Sequence, residues 1–239
     1  PAGSPGPATI SGTWTSGPIG GNTLVAEAAG YLIPLLDPVS DRAEVGELKA
    51  RVAKLESLPV PITPILVDLS GIGDVAALVD RGARVAFDLD GRGGGGQWQW
   101  ITPSAAWIVW DPQASGRITS GTQLFGAVTF LMFWRTGYDA LATLDDDGDG
   151  WLRGRELTGL ALWRDVDGDG MSDPGEVTPM TNAGIAAVAT RGGVATTAGV
   201  AAEARRGVRL VDGRLLPTFD VVLAPASRGA AATATGATR

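Results

Sequence analysis

Two acidic segments of twelve residues constrain this chain more than any other feature of its sequence. Residues 145–156 read DDDGDGWLRGRE, and residues 165–176 read DVDGDGMSDPGE. Both fit the spacing Asp-x-Asp-x-Asp-Gly-x5-Glu without exception. Each holds five carboxylates, which repel one another strongly unless a cation is bound among them. We therefore expect two metal-binding loops, named loop 1 (145–156) and loop 2 (165–176).

The spacing of the acidic residues suits Ca²⁺, which takes six to eight oxygen ligands. Alternate aspartates, the carbonyl of the seventh residue and a closing glutamate can face inward, and the glycine at position six allows the sharp turn. The expected ligands of loop 1 are Asp145, Asp147, Asp149, the Trp151 carbonyl and Glu156. Those of loop 2 are Asp165, Asp167, Asp169, the Met171 carbonyl, Asp173 and Glu176. We expect two bound Ca²⁺ ions, because the ligand number and the bidentate glutamate favour Ca²⁺ over Mg²⁺.

The short connection between the loops limits what they can do. Only residues 157–164 lie between them, whereas a regular pair of EF-hands needs two helices there. We expect one short helix that leaves loop 1 and enters loop 2. Such a unit cannot open like a sensor, so this spacing favours a structural role for the metal.

Charge and composition exclude several classes of protein. The net charge is −7, and the chain has neither His nor Cys. Disulfides, thiolate nucleophiles, Ser-His-Asp triads and His- or Cys-ligated metals are therefore excluded. Ten acidic and two basic residues give the loops a charge of −8, so the remaining residues sum to +1. An acidic chain does not suit nucleic-acid binding, and no apolar run is long enough for a transmembrane segment.

The chain is expected to have three parts. Residues 1–60 are predicted to contain an extended arm, a short helix within 23–36 and an amphipathic helix from Asp41 to Pro59. The amphipathic helix is expected to pack on its own domain or to attach to a partner. Residues 61–225 are predicted to be a calcium-binding module with a C-terminal β-hairpin, with helical structure over 122–144. Residues 226–239 are a low-complexity tail. The predicted fold class is α+β, with short antiparallel strands packed on a compact helical unit of tandem EF-hand-like calcium loops.

Aromatic residues offer two interpretations. Trp98, Trp100, Trp107 and Trp110 are close in sequence. They either pack in the core or form a surface that binds a protein partner or stacks on carbohydrate. The apolar run 130–134 is predicted to be a core helix, with contact to a partner or a membrane surface as the alternative.

The order of the segments ILVDLSG, FDLDG, QWITPSAAWIVWD and GYDALATLDDDGDG resembles the calcium-binding module of bacterial RTX-type secreted proteins. That group includes a calcium-dependent self-processing module, which cleaves itself at an Asp-Pro bond. The resemblance covers about residues 63–188 and implies further Asp-rich loops in the first half. Here those loops have lost most of their carboxylates, and Asp88 with Asp90 would form at most a weak third metal site. The expected cleavage position holds Thr63-Pro64, and Thr lacks the attacking carboxylate, so we expect a divergent member that does not cleave itself.

These observations lead to one functional prediction and two alternatives. We expect a non-catalytic, calcium-binding structural or assembly protein, attached to partners through its N-terminal arm and helix and an apolar Trp-rich surface. Millimolar Ca²⁺ outside the cytosol and the absence of a start Met predict a periplasmic or secreted location, as an extrinsic subunit of an envelope or membrane-associated bacterial complex. The alternatives are a carbohydrate- or surface-binding module that uses the Trp cluster and a self-processing module.

Overall fold

The chain divides into two compact units, Pro1–Val60 and Pro61–Arg239. The computed structural model describes residues 62–225, together with three strands in the first unit. These are β1 (Gly12–Ser16), β2 (Asn22–Ala28) and β3 (Tyr31–Pro34), which form an antiparallel sheet in the order β1-β2-β3. The short helix expected within 23–36 is therefore wrong, because branched and aromatic residues such as Val25, Tyr31 and Ile33 favour strands. The helix predicted between Asp41 and Pro59 and the tail 226–239 lie outside the described residues.

The second unit consists mainly of strands. In chain order its elements are β4 (Ile65–Asp68), α1 (Val75–Leu78), β5 (Val79–Phe87), β6 (Gly96–Ile101), β7 (Ala105–Trp110), α2 (Gly137–Leu141), β8 (Trp151–Arg153), β9 (Leu160–Trp163), β10 (Val177–Pro179), β11 (Ile185–Ala189), β12 (Gly193–Val194), β13 (Val200–Leu210) and β14 (Leu215–Val221). Short 3₁₀ turns lie at Gly121–Gln123, Thr129–Leu131, Ala142–Leu144 and Gly154–Leu157.

The main sheet is antiparallel and curls into a half-barrel. Its order is β10-β9-β7-β4-β14-β13-β11-β8, with β12 beside β13, while β5 and β6 form a separate hairpin. In a flat sheet β9 and β8 would lie about 29 Å apart, at roughly 4.8 Å per strand. Residues 154–159 connect them and span at most about 25 Å when fully extended. The curl brings the two ends of the sheet within reach of this connection.

Two hydrophobic cores lie on the opposite faces of the sheet. Leu66, Trp107 and Trp163 belong to the first core, which the β5–β6 hairpin covers. Their strand neighbours Ile108 and Leu162 belong to the second core, which also contains residues of α2. Successive side chains of a strand point to opposite faces, so β4, β7 and β9 are apolar at almost every position.

The prediction of an α+β fold is wrong, because helices in the described residues are confined to α1, α2 and short 3₁₀ turns. No helix joins the two loops: a 3₁₀ turn at Gly154–Leu157 is followed by β9. The residues of β9 alternate between the two cores, which is the period of a strand. The helical structure predicted over 122–144 is confirmed for residues 137–144, which form α2 and the 3₁₀ turn after it, whereas residues 122–136 contain only short 3₁₀ turns. A Cβ at Gly126 would lie 2.7 Å from the Thr63 carbonyl oxygen, so close packing of the backbone replaces a helix there.

The apolar run 130–134 is a loop rather than a core helix. The side chains of Leu131, Met132 and Phe133 are exposed. Phe130 and Leu131 both have a φ of 59°, which a regular helix does not allow. The loop is anchored by Trp134, whose indole N–H donates to the Thr129 carbonyl at 2.9 Å. Among the described residues, no helix is long and apolar enough to cross a membrane.

The tryptophans of the second unit lie mainly in the first core. Trp98, Trp100, Trp107 and Trp163 are buried. The rings of Trp107 and Trp163 each lie 5.7 Å from that of Trp100, in edge-to-face arrangements. Burial therefore favours the core interpretation, and these side chains offer no platform for a sugar or a protein partner.

Candidate metal centre

The same turn occurs five times within residues 62–225 of the second unit. In each turn an aspartate carboxylate accepts a hydrogen bond from the N–H of a glycine five residues later, and that glycine has a φ between 68° and 90°. The pairs are Asp68–Gly73, Asp88–Gly93, Asp111–Gly116, Asp145–Gly150 and Asp165–Gly170, with distances of 2.6, 2.8, 2.8, 2.9 and 2.9 Å. The left-handed glycine lets the backbone fold around the carboxylate. Loops 1 and 2 are thus two examples of a repeated structural unit.

Both acidic loops are closed by their glutamate in the same way. In loop 1 Glu156 accepts from the N–H groups of Asp146 and Arg153, both at 2.9 Å. In loop 2 Glu176 accepts from Val166 at 2.7 Å and from Asp173 at 3.1 Å. These donors occupy the second and ninth positions of each loop. The equivalent bonds hold the closing carboxylate over the loop in both cases.

The aspartates at the first and third positions and the closing glutamate form a compact cluster in each loop. One carboxylate oxygen from each of Asp145, Asp147 and Glu156 lies within 4.8 Å of the others. Asp165, Asp167 and Glu176 are grouped in the same way, and Asp167, Asp169 and Asp173 form a further group within loop 2. These acidic clusters could hold a metal ion.

One buried oxygen shows that the residues of loop 1 fit a cation. Oδ1 of Asp145 is buried and has no hydrogen-bond partner. In two of the other turns a serine hydroxyl donates to the corresponding Oδ1 atom: Ser70 to Asp68 at 2.6 Å and Ser115 to Asp111 at 2.8 Å. A buried charged oxygen without a partner is costly, and loop 1 has no hydroxyl at either serine position. A cation among the carboxylates would satisfy this oxygen.

The electrostatics of the first aspartate differ between the loops. Burial opposes the ionisation of Asp145, but the N–H of Gly150 and the hydroxyl of Thr190 outweigh it and lower the pKa of this carboxyl. Asp165 is fully buried, and this burial raises its pKa despite hydrogen bonds from Gly170 and Trp100. A bound cation would favour the ionised form of either carboxyl.

Loop 2 is attached to the aromatic core. The indole N–H of Trp100 donates to Asp165 at 2.5 Å, and that of Trp163 donates to Glu176 at 3.4 Å. The loop lies directly against β5, since a Cβ at Gly170 would be 2.4 Å from Val85. Sequence reasoning missed the contact of Trp100, which is 65 residues from Asp165 and carries no local signal.

Loop 1 is attached to the edge of the sheet. Residues 151–153 of this loop form β8, which pairs with β11. The Thr190 hydroxyl, just after β11, donates to Asp145 at 3.1 Å, and the Thr190 N–H donates to the Gly150 carbonyl at 3.0 Å. The loops are therefore not joined to each other by a short β-bridge. At the eighth position of loop 2, the hydroxyl of Ser172 instead accepts from the N–H of Ile118 at 2.8 Å.

The remaining predicted positions are placed as follows. Trp151 and Met171, whose carbonyls are expected ligands, lie at the seventh position of their loops, and the Met171 side chain is exposed. Asp88 accepts from Gly93, and Asp90 faces Arg92 at 3.9 Å. Across residues 62–225, groups of three or more acidic side chains occur only in loops 1 and 2. Asp88 and Asp90 do not belong to such a group, and the weak third metal site at these residues stays a prediction.

Comparison with known proteins agrees with this architecture. The model of the SPM domain matches residues 65–224, which include all five turns. The chain belongs to the SPM domain family. The SPM domain begins at β4 and continues beyond β14, so it coincides with the described part of the second unit.

The SPM domain also has a partial relative among curated proteins. Over 127 residues it is 31% identical to the Iron-regulated protein FrpA of Neisseria meningitidis serogroup C. The match covers 51% of this chain and 11% of that protein. The chain thus spans about a tenth of the length of this relative.

Proposed function

We propose that this SPM domain is a non-catalytic calcium-binding protein in which two Ca²⁺ ions stabilise the fold. The unpartnered Oδ1 atom of Asp145 carries the proposal. It is a buried carboxylate oxygen in a loop where carboxylate oxygens of Asp145, Asp147 and Glu156 lie within 4.8 Å of one another. The same hydrogen bonds recur in loop 2, which supports a second ion there.

The chemistry of the ligands favours Ca²⁺ over other ions. All side-chain ligands are carboxylates, and each loop adds one backbone carbonyl. Oxygen ligands of this number and spacing suit Ca²⁺, whereas Mg²⁺ requires near-octahedral geometry and keeps several waters. Asp145, Asp147, Asp149 and Glu156 would hold the ion of loop 1, and the matching residues of loop 2 would hold the other.

Bound Ca²⁺ would act on the fold through contacts that already exist. In loop 2 the ion would bind carboxylates that accept from Trp100 and Trp163, and so would connect the loop to the first core. In loop 1 it would bind Asp145, which contacts Thr190 beyond β11. The two ions would therefore stabilise different parts of the sheet.

We further propose an assembly role outside the cytoplasm. The support is general: structural Ca²⁺ sites are filled where the ion is millimolar, and extracellular calcium modules bind it in that range. The first unit, Pro1–Val60, is compact by itself, and in this proposal it attaches the protein to a partner. A role in self-processing is not proposed, because the side chain of Thr63 has a hydroxyl where the resemblance requires a carboxylate.

Isothermal titration of the full chain with Ca²⁺ tests the proposal. Two ions per chain are expected for the native protein, and one each for Glu156→Gln and Glu176→Gln. The double variant should bind none. Asp80→Asn is a matched control, because it removes one exposed carboxylate outside both loops. No binding by the native chain, or unchanged stoichiometry in the double variant, would refute the proposal.

A further inference from the structure

Loop 1 contains its own cations, whereas loop 2 does not. The Arg153 guanidinium donates to Oδ2 of Asp149, an expected metal ligand. Arg155 lies 3.5 Å from Asp146, and Arg191 donates to the Gly148 carbonyl at 3.2 Å. Five acidic residues and two arginines give loop 1 a charge of −3, and five acidic residues alone give loop 2 a charge of −5.

The ninth position accounts for this difference in net charge, because the differences at the second and eleventh positions cancel. It is Arg153 in loop 1 and Asp173 in loop 2, and both residues donate their N–H to the closing glutamate. The backbone hydrogen bond to the closing glutamate is therefore the same in both loops, and the side chains differ in sign. Asp173 adds an oxygen to its acidic group, while Arg153 occupies an oxygen that the ion in loop 1 would need.

We infer that the two sites have unequal affinity, and that Arg153 is an internal competitor that makes loop 1 the weaker site. This inference rests on the proposed function. Before a cation can use Oδ2 of Asp149, the guanidinium has to leave that atom. It then lies near a divalent ion of the same sign, which lowers the affinity further.

Pre-organisation adds to the difference between the loops. Asp165 is fully buried and is held by the Trp100 indole and two backbone N–H groups, so little freedom is lost when an ion binds. The side chain of Asp149 is 38% exposed and has to exchange one partner for another. Fewer charges and a ligand that must rearrange both reduce Ca²⁺ affinity.

Unequal affinities give the sites different roles. Loop 2 would fill first and stabilise the aromatic core. Loop 1 would fill at a higher Ca²⁺ concentration, and its contact with Thr190 would then stabilise β8 against β11 at the sheet edge. The Ca²⁺ concentration would thus control the order of this edge while the core stays formed.

Titration of Arg153 variants tests the inference on the full chain. In native protein we expect two calorimetric phases, with the weaker lost in Glu156→Gln and the stronger lost in Glu176→Gln. Arg153→Gln should strengthen the weaker site about tenfold and leave the stronger site unchanged. Arg155→Gln is the matched control, because it removes the same charge from loop 1 without releasing an expected ligand, and it should change the affinity by less than about twofold.

The outcomes separate the inference from the proposed function. Two sites of equal affinity in the native chain, or equal effects of Arg153→Gln and Arg155→Gln, would overturn the inference and leave the proposed function standing. No Ca²⁺ binding at all would overturn the proposed function itself. Circular dichroism of each variant in saturating Ca²⁺ checks that a changed affinity does not reflect a failure to fold.

Discussion

A buried carboxyl far from the loops should make the stability of the protein fall as pH rises. Asp220 lies in β14 and is fully buried. Its Oδ2 accepts from the N–H of Gly137 at 2.8 Å, and the buried Thr63 hydroxyl lies beside the carboxyl. Burial raises the pKa of Asp220 from 3.8 to about 7, and the nearby charge of Asp139 acts in the same direction.

The raised pKa fixes the sign of the effect. Between pH 4 and 7 the native state keeps a proton on Asp220 that the unfolded state has lost. Stability therefore decreases with rising pH across this window, by about 1.4 kcal/mol per pH unit in the middle of it. The expected loss between pH 5 and pH 8 is roughly 3 kcal/mol, after which the carboxyl is ionised in both states.

Asp220→Asn should remove this dependence. The amide oxygen can still accept from the N–H of Gly137, and the amide N–H can donate to the Thr63 hydroxyl oxygen. The free energy of unfolding of the variant, relative to that of the native protein, should be about 3 kcal/mol higher at pH 8 than at pH 5. Urea unfolding followed by tryptophan fluorescence, in saturating Ca²⁺, measures the difference at each pH. Asp80→Asn controls for the loss of a charge at an exposed position. The curves of stability against pH should differ between the native protein and the Asp220→Asn variant, and parallel curves would refute the reasoning.

Two further predictions concern loop 2 and the Thr63–Pro64 bond. Trp100→Phe keeps most of the buried ring but removes the hydrogen bond to Asp165. In a calorimetric titration, the Ca²⁺ affinity of loop 2 should therefore fall about tenfold while that of loop 1 is unchanged. An equal loss of affinity at both loops would contradict a local role for Trp100. Native protein incubated with millimolar Ca²⁺ should remain intact by mass spectrometry, because Thr63 cannot supply an attacking carboxylate, and a new fragment beginning at Pro64 would show that this account of Thr63 is wrong.

The sequence predicted the acidic loops better than the fold around them. The spacing of Asp145 to Glu156 is local, so the sharp turn and the inward carboxylates follow from neighbouring residues alone. The helix expected between the loops is wrong, although Leu160 and Trp163 have the three-residue spacing of one helix face. In the structure they belong to a strand with one core on each face, and such strands lack the alternation that reveals a half-exposed strand.

Contacts between distant residues could not be predicted from the sequence. The hydrogen bond from Trp100 to Asp165 and that from Gly137 to Asp220 join residues 65 and 83 positions apart. The burial of the tryptophans depends on the β5–β6 hairpin that covers the first core. The sequence does not reveal this packing, so it does not distinguish the core interpretation from the surface interpretation. By contrast, Arg153 stood out in the sequence as the basic residue at the ninth position, and the structure shows which ligand it occupies.

The central claim is that Ca²⁺ stabilises this fold, and thermal unfolding with and without Ca²⁺ tests it most directly. At 100 times the dissociation constant, two sites would contribute about 5 kcal/mol. For a unit of this size we expect the melting temperature to be about 10–20 °C higher in Ca²⁺ than in chelator. Mg²⁺ at the same concentration should restore little of this difference, and Glu156→Gln with Glu176→Gln should abolish it. Equal melting temperatures in Ca²⁺ and in chelator would contradict the account.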